Sequence, residues 1–148
     1  MWLSKIGSYG AVWLVLALLL SLARRRWQPF VLVLIADAAA DGIAGALKVA
    51  FGVHRPAEPG DLLGVPSSRS FPSGHTATSF ACATVLAALV PRAAPFVYLL
   101  AAAIGYSRLY VGVHWPTDVI GGAALGVATA LLLLAAIRTR SGRARRRG

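Results

Sequence analysis

Apolar residues run along this chain in long blocks with short polar breaks between them. Each block is near the roughly 20 residues that one helical membrane crossing needs. The first covers about Trp2 to Ala23 and meets Arg24-Arg25-Arg26 at once. Its end, Ser21-Leu22-Ala23, has the small-residue look of a leader cleavage site, but a dense positive block after an apolar run resists translocation, so a retained span is expected. The second block runs from about Trp27 to Phe51 and contains Asp37, Asp41 and Lys48. A polar loop from Gly52 to Ser70 follows, broken by Pro56, Pro59, Gly60, Gly64 and Pro66. A third helix is expected from about Pro72 to Val90, then a tight connection over Pro91–Pro95 and a fourth helix from about Phe96 to Tyr110. A fifth should begin near Trp115-Pro116, with the proline in a tolerated first-turn position, and end near Ile137. The predicted fold class is an all-α, polytopic membrane helix bundle of about five spans, with no internal repeat.

Composition supports this and leaves little else. The chain has 148 residues, 57% of them hydrophobic and 14% charged, against about 25% charged in an ordinary soluble domain. Disorder and a cytosolic enzyme are both disfavoured. The expected organisation is one membrane domain over residues 1–137 and a basic tail over 138–148. The net charge is +10, from 15 Lys+Arg against 5 Asp+Glu, and the tail alone holds Arg138, Arg140, Arg143, Arg145, Arg146 and Arg147. Such a tail can bind nucleic acid, but beside membrane spans it marks a cytoplasmic end near anionic lipid, and no nucleic-acid partner is expected. The Arg24–Arg26 block, Arg92 and the tail fall on one side of a five-span arrangement. That side is expected to be cytoplasmic, which puts the Gly52–Ser70 loop and the Val111–Trp115 connection outside the cell membrane. The lone Cys82 has no disulfide partner and reads as a buried small residue.

The polar residues inside these segments gather at the outer helix ends, and ionisable groups at membrane depth are functional candidates. Three stretches carry them: Lys48 through Arg55-Pro56, Phe71-Pro72-Ser73-Gly74-His75, and Ser107-Arg108 through His114 to Asp118. Lys48, Arg55 and Arg108 are three cations at one face, and arginine offers a planar donor fork suited to phosphate oxygens. Ser73-Gly74 would open the third helix, where free N–H groups and the helix dipole favour an anion. His114 and Asp118 are four apart, on one face if the fifth helix starts early enough. A carboxylate holding one imidazole nitrogen leaves the other as nucleophile or base. His75 is a second imidazole, available to move a proton.

Together these stretches resemble the type 2 phosphatidic acid phosphatase superfamily, whose pattern is K-x6-R-P, P-S-G-H and S-R-x5-H-x3-D. All fixed positions are present, from Lys48 to Asp118. Integral members commonly have six spans, against the five counted here. The resemblance implies a metal-independent phosphohydrolase with no cofactor, acting on a membrane lipid phosphate. It implies that His114 attacks phosphorus, that Asp118 orients His114, and that His75 protonates the leaving oxygen and then activates water. Lys48, Arg55, Arg108, Ser73 and the Gly74 N–H would hold the phosphoryl oxygens. The expected substrate is a polyprenyl diphosphate such as undecaprenyl diphosphate. Phosphatidic acid or phosphatidylglycerol phosphate is the alternative, and a lipid phosphotransferase could use the same intermediate. A vanadium haloperoxidase shares the anion site but is soluble and larger, and a non-enzymatic scaffold would not need the three motifs.

Several residues keep two readings. His54 is either a substrate contact or a solvated loop residue. Arg69 either touches a second phosphate or faces water. Ser107 supports packing or bonds locally. Asp37 and Asp41 form an inward polar stripe paired across helices, or a brace for the cations of the site. Trp2, Trp13, Trp27 and Trp115 include candidate interface anchors.

Overall fold

The computed structural model describes residues 10–56 and 69–145, with side chains as far as residue 139. Those residues form α1 (Ala11–Arg24), α2 (Gln28–Phe51), α3 (Gly74–Leu89), α4 (Ala94–Tyr110) and α5 (Pro116–Arg145), with a 3-10 turn at Pro91–Ala93 before α4. There is no strand among them. The observed helices track the apolar blocks closely. Residues 2–9 of the first block and 57–68 of the polar loop lie outside the described residues.

Helix ends show why the boundaries fall where they do. Arg25 takes a left-handed conformation after α1, and the Arg26 N–H reaches back to the Ser21 carbonyl. The Ser21 hydroxyl accepts the Phe30 N–H, satisfying a donor that the first turn of α2 would otherwise leave open. Gly52, at φ +64°, closes α2 with its N–H on the Lys48 carbonyl. The third helix begins at Gly74 rather than Pro72, because Ser73 is extended and serves as its N-cap. The last helix continues past Ile137 to Arg145. The apolar block ends there but helix propensity does not, since alanine and arginine are both strong helix formers.

Helix α3 is the centre of the bundle. It is buried along almost its whole length, from Gly74 to Leu86, and contacts all four other helices. Its surface is small: Ala77, Ala81, Cys82 and Ala83 are fully buried. The matching surface on α5 is smaller still. A Cβ on Gly122 would lie 2.6 Å from the Ser73 carbonyl oxygen, and one on Gly126 would collide with the Ala77 carbonyl oxygen. Two backbones therefore meet directly, the close approach that small residues spaced four apart allow between membrane helices.

The outer surface is apolar, with Leu22, Phe96, Leu99, Ile120 and Leu132 exposed, as expected of a bundle facing lipid. Two helices, Gln28–Phe51 and the Pro116–Thr139 part of α5, are long and apolar enough to cross a membrane. The other three have 14, 16 and 17 described helical residues, so the length criterion bears out two spans of the five expected. Trp13 is not an interface anchor. It is buried, with its indole N–H donating to the Ser79 hydroxyl at 3.2 Å, because α1 lays this face on α3. Trp27 and Trp115 are exposed, each just before the start of a helix and at opposite ends of the bundle, as anchors would be.

Candidate active site

The site forms where the C-terminal ends of α2 and α4 meet the N-terminal ends of α3 and α5. Helix α5 starts at Pro116, so His114 lies outside it and the expected helical i, i+4 pairing is replaced by a turn. Trp115 occupies the N-cap place and Asp118 the third helical position. The Asp118 carboxylate reaches back to the Trp115 N–H at 2.8 Å, half of a capping box, and the same oxygen lies 3.2 Å from His114 Nδ1. The positive end of α5 further favours this carboxylate. Asp118 is 0% and His114 6% exposed.

The proton on His114 is fixed by its neighbours. Arg55 Nη1 donates to the Val113 carbonyl at 2.7 Å and also lies 3.4 Å from His114 Nε2. A guanidinium can only donate, so Nε2 presents its lone pair and Nδ1 carries the proton to Asp118. Burial, followed by the Arg55 charge, holds the imidazole below its ordinary range, and Asp118 opposes both. The result is a neutral imidazole with its Nε2 lone pair turned toward a cation.

The third helix brings the other wall. The Ser73 N–H donates to the Asp118 carbonyl at 3.0 Å, locking the start of α3 to the start of α5. The Ser73 hydroxyl accepts from Thr76 at 3.0 Å, which leaves its own O–H to donate elsewhere. A Cβ on Gly74 would lie 3.6 Å from Lys48 Nζ and 3.5 Å from an Asp41 oxygen, so the Lys48 ammonium stands against the bare backbone of Gly74. His75, in the first turn of α3, lies within electrostatic reach of Arg108, His114, Lys48 and Arg55. Arg108 Nε donates to the Ser107 hydroxyl at 3.1 Å, and that hydroxyl donates to the Ile104 carbonyl at 2.7 Å. Ser107 thus bonds locally and holds Arg108.

All eight residues singled out from the motifs converge here: Lys48, Arg55, Ser73, Gly74, His75, Arg108, His114 and Asp118. Chemically the cluster is suited to a phosphoryl group: it gathers cations, N–H donors, a neutral imidazole and a second imidazole nearby. Of the polar stripe, Asp41 stands beside Lys48 and the start of α3. Asp37 lies further down α2, 3.8 Å from the Cys82 thiol. No group of three or more potential metal ligands occurs among the described residues. Sequence reasoning missed Thr76, Ser70 and the α5 glycines. Ser70 is fully buried and donates to the His54 carbonyl at 3.0 Å. The spacing of Gly122 and Gly126 was the available signal for the close helix contact.

A family model described as the PAP2 superfamily matches residues 29–141. The chain is 37% identical over 135 residues to the decaprenylphosphoryl-5-phosphoribose phosphatase of Mycobacterium tuberculosis, covering 84% of this chain and 71% of that protein. It is 38% identical over 90 residues to the lipid A 1-phosphatase of Porphyromonas gingivalis, which covers 58% of this chain and 19% of that much longer protein. The crystal structure of a transmembrane PAP2-type phosphatidylglycerolphosphate phosphatase from Bacillus subtilis superposes with a TM-score of 0.64 at 27% identity, over 87% of this chain and 68% of the other. Fold and site therefore define a membrane phosphatase of the phosphate-ester hydrolase class. The chain belongs to the PAP2 superfamily.

Proposed function

We propose that the chain hydrolyses a polyprenyl-carried phosphate or diphosphate at the outer face of the cell's inner membrane, through a phosphohistidine on His114. The observation that carries this is the His114 dyad: Nδ1 is held by Asp118 and Nε2 is left with its lone pair beside Arg55. In the first step Nε2 attacks phosphorus, and the bond from phosphorus to the leaving oxygen breaks. His75 gives that oxygen its proton. In the second step His75 takes a proton from water, the water oxygen attacks phosphorus, and the P–N bond breaks to return neutral His114 and release phosphate. Lys48, Arg55, Arg108, the Ser73 hydroxyl and the Gly74 N–H hold the equatorial oxygens, where charge gathers in the transition state.

A lipid substrate is supported by the apolar exterior and by a site set at helix ends, where a headgroup would lie. Within that class, a terminal diphosphate such as undecaprenyl diphosphate is the first reading. A second reading, a phosphosugar monoester on a polyprenyl carrier, is favoured by the mycobacterial relative, which matches most of this chain. Residues 1–137 act as one membrane domain. The basic tail over 138–148 is cytoplasmic, because the exposed Arg24, Arg25, Arg26, Arg92 and Arg138 cluster at the helix ends opposite the site.

The test is phosphate release from purified protein in detergent, with rapid-quench trapping of labelled enzyme. Polyprenyl diphosphate, polyprenyl monophosphate, a polyprenyl phosphoribose phosphate, phosphatidic acid and phosphatidylglycerol phosphate are compared. Label on His114, lost in His114→Ala, supports the reading. Label on His75, or undiminished labelling of His114→Ala, overturns it.

A further inference from the structure

We propose that Arg69, steadied by His54, forms a second phosphate subsite at the mouth of the site. It would hold the phosphoryl group of the substrate that is not attacked. The proposal rests on the lipid-phosphatase reading above and adds a specificity determinant to it.

The placement comes from hydrogen bonds that tie three segments together. The His54 carbonyl accepts from the Ser70 hydroxyl at 3.0 Å and from the Trp115 indole N–H at 3.0 Å. The Ser70 N–H donates to the Val53 carbonyl at 2.8 Å. Arg55, next to His54, donates to Val113, next to His114. The backbone around His54 and Arg69 is therefore fastened to the segment that carries the nucleophile. Both side chains are exposed, unlike those of His114 and Asp118.

The partner of Arg69 is the informative part. Its Nη1 lies 2.7 Å from His54 Nε2. A guanidinium can only donate, so that nitrogen carries no proton and the His54 proton sits on Nδ1. Among the described residues, Arg69 is thus held by a ring nitrogen and by no carboxylate. The contact fixes the guanidinium without neutralising it, and its other N–H groups and the His54 Nδ1–H remain as donors. Lys48, Arg55 and Arg108 already gather around the reacting centre. A monophosphate needs no further cation, whereas a substrate with two phosphoryl groups brings a second anion to the rim. An oriented arginine fork with a neighbouring imidazole N–H is suited to it.

The test compares Arg69→Ala with the parent enzyme on farnesyl diphosphate and farnesyl monophosphate in detergent. Loss of a charge-assisted contact should raise KM for the diphosphate about tenfold or more, with kcat and both monophosphate constants changed less than about twofold. His54→Ala should give the same pattern more weakly, because Arg69 stays but loses its brace. As a second measure, methylenediphosphonate should inhibit the parent more tightly than methylphosphonate on any substrate turned over, and Arg69→Ala should abolish that difference. An equal fall on both farnesyl substrates would make the pair a loop clamp only and overturn the subsite. So would unchanged constants on both, or an inhibitor preference that survives the substitution. Failure of the underlying phosphatase reading looks different, since the parent enzyme would then release phosphate from neither substrate.

Discussion

Replacing Asp118 with Asn isolates the charge of the dyad from its geometry. In the parent, one carboxylate oxygen accepts from both the Trp115 N–H and His114 Nδ1, while the other is buried with no hydrogen-bond partner among the described residues. An asparagine oxygen can take the first role, because the reverse orientation would set an NH2 group against the Trp115 N–H. The His114 tautomer is then retained and only the negative charge is lost. That charge matters when His114 becomes phosphorylated and cationic. At the 3.2 Å separation, Coulomb attraction with an effective dielectric near 20 is about 5 kcal/mol as an upper figure, and the gain of a charged over a neutral hydrogen bond sets a lower figure of about 1 kcal/mol. Phosphoenzyme formation should therefore slow by roughly fivefold to a few thousandfold, with substrate KM changed little. The amide NH2 would also occupy a buried place without a partner, costing about 1–3 kcal/mol of stability. Rapid-quench single turnover gives the rate, and thermal unfolding in detergent confirms that the variant is folded. A folded Asp118→Asn that forms phosphoenzyme within threefold of the parent would refute the charge argument.

Acidity should act through His114. Burial and the Arg55 charge hold its pKa below the ordinary value, so it stays neutral and nucleophilic further into acid. The acid limb of phosphoenzyme formation is expected below about pH 6.5, and Arg55→Met should move it upward in a pre-steady-state pH series. The same sign makes this histidine's contribution to stability complete above about pH 6.5 and lost progressively as pH falls from there toward the folded-state value, because the unfolded chain binds the proton first. Gly126→Ala should cost about 1–3 kcal/mol through overpacking, read as a lowered unfolding midpoint; an unchanged midpoint would show that the α3–α5 contact can relax. Single cysteines at the exposed Tyr110 and Arg25 stand at opposite ends of the bundle. An impermeant maleimide on intact cells should label the first and not the second, and the reverse would place the site in the cytoplasm.

The helices and the polar cluster were legible because each left a linear signal. Among the described residues the apolar blocks gave the helix boundaries to within a few residues, except that α5 runs on past Ile137 to Arg145, and the eight motif residues come together at one end of the bundle. Four features had no such signal. The start of α3 slipped from Pro72 to Gly74 because the N-cap depends on an extended Ser73, which proline and serine spacing alone does not specify. The four-residue spacing of His114 and Asp118 shares a helical face only if α5 starts early enough; it starts at Pro116, and the pairing is a turn in which the carboxylate caps its own helix. The brace around His54 is made by the adjacent Arg69 and Ser70, 15 and 16 residues away, and by the Trp115 indole, 61 residues away, and only the fold brings them to it. Burial of Trp13 was likewise invisible, because an apolar helix end and a core-facing tryptophan look alike in composition.

The glycines of α5 connect packing to chemistry. Most groups at the site sit at helix ends, and His114 and Arg55 on the segments that adjoin them, so their positions follow from how the helices lie against α3. The contact of α5 with α3 is backbone on backbone at Gly122 and Gly126, and one turn nearer the site the Ser73 N–H holds the Asp118 carbonyl. Gly126 lies eight residues from Asp118, about 12 Å along the helix. A methyl group there must push α5 away from Ala77, and a tilt of the helix would carry the displacement to the dyad. The Ser73–Asp118 bond would lengthen and the line from His114 Nε2 to the phosphoryl cradle would open. Gly126→Ala is therefore expected to lower kcat as well as stability, because orientation at the reacting atoms tolerates little displacement. Gly45, on the exposed face of α2 with nothing near its Cβ position, supplies the control. Gly45→Ala should leave turnover unchanged, and an equal loss of kcat in both variants would remove the link between the glycine contact and the dyad.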